Sequence, residues 1–100
     1  MTRARRKDLR DLAGVLAQVR AWPDVHERTP GVFWIRRTPF LHFHVRGDDR
    51  RAHAKRDGRW GAEIPVPFDA GTRVKTALLR ELRARYASCV GITRRPSAGG

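Results

Sequence analysis

The residues best suited to chemistry lie in two short runs. His42-Phe43-His44 sets two imidazoles on one side of an extended chain, about 7 Å apart, because a strand repeats every second residue. His53 follows beyond a Gly47-Asp48-Asp49 turn. Three histidines hold zinc in some catalytic sites, and a single imidazole can act as a general acid or base. Arg46, Arg51 and Lys55 stand around them, with no carboxylate expected closer than the turns. A dication among three cations is repelled. Metal or small-molecule binding through His42, His44 and His53 is therefore an alternative reading and not the leading one. No Ser-His-Asp grouping, phosphate-binding glycine loop or Cys-x-x-Cys pair occurs, so the chain reads as a non-enzyme without a cofactor.

The leading reading comes from charge. The 100 residues carry 22 Lys and Arg against 10 Asp and Glu, a net charge of +12, and all of the cations except Lys7, Lys55 and Lys75 are Arg. The guanidinium fork takes phosphate bidentately and its plane stacks on rings. An excess of this size repels itself unless an anionic partner is near, which makes DNA or RNA the expected partner. A protein-interaction or structural module without a ligand is a further alternative. No apolar run approaches the roughly 18 residues of a membrane span, and Met1–Lys7 has no apolar stretch after it, unlike a secretory signal. The one cysteine, Cys89, fits a reducing, cytoplasmic setting.

These residues must be positioned by a scaffold whose periodicity changes twice. Leu9, Leu12, Leu16 and Val19 recur at three and four, the stripe of an amphipathic helix that Pro23 stops. Val74, Leu78 and Leu82 repeat that spacing in a second helix, which Asp69 is expected to cap and which runs to Tyr86. Residues 32–66 alternate with period two, giving strand candidates Val32–Arg36, Phe40–Arg46, Arg51–Arg56 and Trp60–Val66. The expected fold is α+β, in the order α-β-β-β-β-α: an antiparallel meander with both helices on one face. The domain spans 8–90, with tails at 1–7 and 93–100.

Register follows from the turns. A loop centred between Asp48 and Asp49 opposes His44 to His53 and Phe43 to Ala54, and leaves His42 facing Lys55. A three-residue loop Arg37-Thr38-Pro39 puts Phe33 and Ile35 on the apolar face, with Phe40 on the other. For the third turn, Asp57-Gly58 alone suggests a two-residue loop, which sets Trp60 among the cations. A three-residue loop Arg56-Asp57-Gly58 is preferred, because it packs Trp60 against Ala54. The open face then offers Trp34, Arg36, Arg46, Arg51 and Lys55 to nucleic acid, beside the three histidines.

The run Pro30-Gly31-Val32-Phe33-Trp34-Ile35-Arg36 followed by Phe40-Leu41-His42-Phe43-His44 resembles small bacterial proteins that share a Pro-Gly-Val-Phe and Phe-Leu-His-Phe-His core. The order of a helix ending in Trp22-Pro23-Asp24-Val25, strands and a second helix is also similar to the MmcQ/YjbR-type proteins. That resemblance implies a double-wing, CyaY-like fold and a DNA-binding role. It assigns no functional residue.

Overall fold

The computed structural model describes residues 2–94, with side chains through Gly91. A short strand β1 (Thr2–Arg3) precedes a 3-10 helix, Arg6–Leu12, which runs into α1 (Ala13–Arg20). Strands β2 (Val25–Thr29), β3 (Val32–Ile35), β4 (Thr38–Arg46), β5 (Asp49–Arg56), β6 (Arg59–Trp60) and β7 (Ile64–Pro65) follow, and then α2 (Thr72–Arg94). The sheet is antiparallel, in the order β2-β3-β4-β5-β6. Because β5 occupies one edge of β4, β1 and β3 share the other edge end to end; β6 and β7 do the same on β5.

The α+β class and the placement of both helices on one sheet face match the sequence. Leu12, Leu16, Leu78 and Leu82 meet Phe33, Phe43, Ala52 and Ala54 in a single core. The residues expected as an N-terminal tail are instead structured: Thr2 and Arg3 pair with Val45 and His44, and Ala4 donates to the Phe43 carbonyl at 2.9 Å. At the other end α2 runs two residues into the expected tail, and residues 95–100 lie outside the described residues. Asp69 does not cap α2. It takes a φ of +55°, and the helix starts at Thr72, with the Lys75 amide donating to the Gly71 carbonyl. Val74, counted in the apolar stripe, is exposed. None of the helices among the described residues is long and apolar enough to cross a membrane.

Each hairpin corrects the expected register. Gly47, at a φ of +59°, takes the first position of a two-residue turn with Asp48, so Arg46 opposes Asp49 and His42 opposes His53. The offset from the expected pairing is two residues. An even offset keeps every side chain on its face, so the face assignments survive and only the partners change. Between β3 and β4 the loop is Arg36-Arg37, and a bulge between Phe33 and Trp34 leaves Phe40 without a partner. The bulge turns Phe40 into the core at 1% exposure, with its ring edge-on to Tyr86, and not onto the polar face. The strand β2 was not expected; it pairs with β3, while the Tyr86 hydroxyl donates to the Pro23 carbonyl just before it.

Gly31 shows how tightly the β2–β3 turn sits on the first helix. Its φ is +75°, and a Cβ there would overlap Leu9 Cδ1. Gly31→Ala combines a left-handed alanine with overpacking, which together should cost about 2 kcal/mol in a urea unfolding measurement. A loss under about 0.5 kcal/mol would mean that the turn stands away from Leu9.

Candidate nucleic-acid interface

The sheet face away from the helices carries the candidate residues. Strand alternation sets His42, His44, Arg46, Arg51, His53 and Lys55 on it, and Arg3 joins them as the partner of His44. The third hairpin adds a residue that the preferred loop had buried. The turn is the two-residue Asp57-Gly58, at φ +53° and +79°, so Lys55 opposes Trp60 and the indole points outward at 44% exposure. Both turn residues hold positive φ, the type I′ geometry that matches strand twist. Trp60 stacks on His53 with centroids 4.8 Å apart and rings inclined at 29°. Its centroid lies 4.8 Å from that of His42 and 5.1 Å from Lys55 Nζ.

The three histidines come together, but as a chain. His53 Nε2 lies 3.1 Å from the Gly61 carbonyl. A carbonyl only accepts, so this nitrogen carries the proton. In neutral His53 the Nδ1 is then bare and accepts from His42 Nε2 at 3.2 Å. His42 Nδ1 accepts in turn from His44 Nε2 at 2.8 Å. One carbonyl thereby orients three imidazoles. Burial, reinforced by the neighbouring imidazoles and Arg3, pushes His42 down to about 4. Burial also lowers His44, against the pull of Glu63. The two nitrogens of His42 face different partners, so no single point is shared by three ring nitrogens. Among the described residues no group of three or more His, Cys, Asp or Glu is placed to hold a metal ion. The geometry does not offer the zinc site considered from sequence.

The candidate cations divide into engaged and free. Arg51, expected to meet phosphate, donates to Asp49 at 3.1 Å and to Glu63 at 3.4 Å. Glu63 also approaches His44 Nδ1 at 3.8 Å. The acid-free face expected from sequence is therefore corrected: Glu63 arrives from the segment after β6, whose course strand alternation alone does not disclose. Arg36 sits in the β3–β4 turn, off the strand face, at a φ of +54° and 3.3 Å from an Asp24 carboxylate oxygen. Trp34 is on the outer face, half-covered by the Arg28 guanidinium at 4.0 Å. Arg3, Arg46 and Lys55 have no acid partner among the described residues.

Sequence reasoning missed Trp60, Arg3 and Glu63 as members of this face. The Asp57-Gly58 dipeptide was the signal for Trp60. Beneath the site, Arg85 of α2 is buried and donates to the carbonyls of Ala54 and Ala62. It fixes the segment whose Gly61 carbonyl orients the histidines; a Cβ on Gly61 would press on its guanidinium. No protein-family model, curated protein or solved structure matches the chain.

Proposed function

We propose that the protein binds single-stranded nucleic acid with little sequence preference through this outer sheet face. The observation that carries the reading is the outward Trp60 indole. A large ring on a flat sheet, backed by His53 and flanked by Lys55, is suited to stack a base, and every base has a face to stack. Arg3, Arg46 and Lys55 supply phosphate contacts that no acid among the described residues already occupies. The histidines serve as a hydrogen-bonded floor that holds the ring in place. The reading agrees with the role that the MmcQ/YjbR resemblance implies, and it sets the protein in the cytoplasm, where buried Cys89 stays reduced.

The test is binding of oligo(dT) by fluorescence anisotropy across a salt series. Three neutralised phosphates on a single strand give a slope of log K against log salt near −2. Trp60→Ala should weaken binding by about 1–3 kcal/mol, roughly 5- to 150-fold, and the half-exposed ring leaves the fold intact on removal. Arg46→Ala with Lys55→Ala should flatten the slope by about 1.4, whereas Arg51→Ala should leave it nearly unchanged, because its carboxylates already neutralise it. Absence of binding at about 50 mM salt, or an indifferent Trp60→Ala, would sink this function.

A further inference from the structure

On the opposite side of the sheet, a cavity of about 560 Å³ opens between the first helix and the turn joining β2 to β3. Its size is that of a small-molecule pocket. Glu27 opposes Phe33 across β2 and β3, which puts it on the helix-covered face, away from Trp60. The spacing of Arg6, Arg10 and Ala13 along the first helix turns this flank of it toward the cavity, and Leu9, Leu16 and Pro30 add apolar surface. Arg20 lines it with Arg6 and Arg10, whereas Arg28 adds to the wall from β2 while its guanidinium lies over Trp34 on the outer face.

The charges in this rim do not cancel. Among the described residues Glu27 is the only acid lining the cavity, and it is already engaged: it accepts from Arg20 Nε at 2.8 Å and from the Gly31 amide at 3.0 Å. Arg28 is stacked over Trp34 on the other sheet face, so its charge is directed away from the cavity. Arg6 and Arg10 have neither an acid partner nor a ring among the described residues. Two guanidinium charges, those of Arg6 and Arg10, therefore stand unneutralised beside an apolar floor. Such a site discriminates against both halves of its ligand taken alone. A bare inorganic anion leaves the Leu9, Leu16 and Pro30 surface wet, and a neutral hydrocarbon leaves the guanidinium groups unanswered. A nucleobase is also a poor fit, since its polar edge would meet few neutral donors or acceptors beside Thr29.

We infer that this cavity is a second binding site, separate from the sheet face, for a small organic anion with an apolar body and a phosphate or carboxylate head. The Arg6 and Arg10 guanidinium groups take the head, as their forks do with either oxyanion, and the body lies on Leu9 and Leu16. Ala13, exposed at the cavity wall, is the position through which the site can be closed without disturbing the core.

The experiment follows backbone and methyl NMR shifts of the whole chain during titration with naphthyl phosphate, naphthoate, inorganic phosphate and naphthol. Naphthyl phosphate and naphthoate should each shift Leu9, Leu16 and Gly31, and their ranking identifies the head. Inorganic phosphate and naphthol should bind roughly tenfold or more weakly, each lacking one half of the ligand. Arg6→Ala with Arg10→Ala should weaken binding by roughly tenfold, and Ala13→Trp should block it while the circular dichroism spectrum and oligo(dT) affinity stay unchanged. Inorganic phosphate binding as tightly as naphthyl phosphate would reduce the site to a patch of cations and overturn the inference. So would shifts confined to Trp60 and the histidines, a ligand that Ala13→Trp leaves bound, or no shift up to about 10 mM. Loss of oligo(dT) binding in Trp60→Ala with naphthyl phosphate still bound at Leu9 would separate the two sites.

Discussion

Arg50→Met should lower the unfolding free energy by about 3–5 kcal/mol, the range for stripping one partner from a buried ion pair. The side chain is almost completely buried, and each of its five N–H groups has an acceptor. Nε donates to the Val66 carbonyl, Nη1 to the Asp8 carbonyl and an Asp11 oxygen, and Nη2 to the other Asp11 oxygen and the Pro67 carbonyl. One guanidinium thereby ties the first helix to the segment after β7, and Asp11 extends the tie by accepting from the Ala70 amide at 3.1 Å. Methionine fills much of the volume and answers none of these groups, leaving a carboxylate and three carbonyls short of a donor. A domain of this size has only about 5–15 kcal/mol in all, so the variant should be close to unfolding at 37 °C. Asp11→Leu in the same chain should recover part of the loss, since it removes the stranded charge. Urea unfolding of the three proteins measures both steps; a single-variant loss under about 1 kcal/mol would mean that the tie is dispensable.

Acid should destabilise the protein in two separable stages. His42 has a folded-state value of about 4 against an ordinary 6.5, chiefly because its ring is buried. As pH falls from 6.5 to 4, the unfolded chain takes up this proton before the folded one does, so stability drops through that interval. For a half-buried ring that solvent still screens, the contribution is about 2 kcal/mol. The second stage belongs to Asp11, which the Arg50 hydrogen bonds hold at about 2 against 3.8. Its contribution, also about 2 kcal/mol, is present above pH 3.8 and is lost as pH falls towards 2. Self-repulsion of a chain already at +12 adds a general slope, so the decisive comparison is with His42→Phe, which keeps the Trp60 contact and cannot titrate. That variant should lose most of the step between pH 6.5 and 4, keeping the share that His44, also lowered by burial, contributes, and should keep the one below it. Parallel pH profiles for the two proteins would show that burial of His42 is not coupled to folding.

Both predictions turn on residues whose types were plain in the sequence and whose roles were not. Arg50 stood next to a turn, among many other arginines, and nothing local distinguishes it from Arg51. Alternation sets Arg50 on the face of Ala52 and Ala54 in either register; the turn closing one residue earlier than expected, at Gly47-Asp48, takes it out of the loop and into β5 as the partner of Val45. Arg51, one residue later, points to the opposite face and meets Asp49 and Glu63. The same turn moved His53 from opposite His44 to opposite His42, and so made a chain of imidazoles out of what could have been a cluster.

What the sequence by itself determined is everything that periodicity encodes. The three-and-four spacing of Leu9, Leu12, Leu16 and Val19 and of Leu78 and Leu82 dictated two helices with one apolar side each. The alternation from Val32 to Lys55 dictated which side chains share a face, because burial separates the faces whichever residues are paired. Periodicity of two is blind to an even shift, however, so register was open, and with it the identity of every cross-strand partner. It is equally blind to a bulge, which took Phe40 to the core, and to the loop parity that turned Trp60 outward. Strand β1 has only two residues, and β2 (Val25-His26-Glu27-Arg28-Thr29) carries a single apolar side chain, Val25, so neither shows an alternation; they are recognised only by their pairing with β4 and β3. The convergence of Arg50 with Asp11 and of Arg85 with the Gly61 segment spans dozens of residues along the chain. Those contacts exist only once helix and sheet have packed, where low dielectric and the demand that buried donors find acceptors select one arrangement.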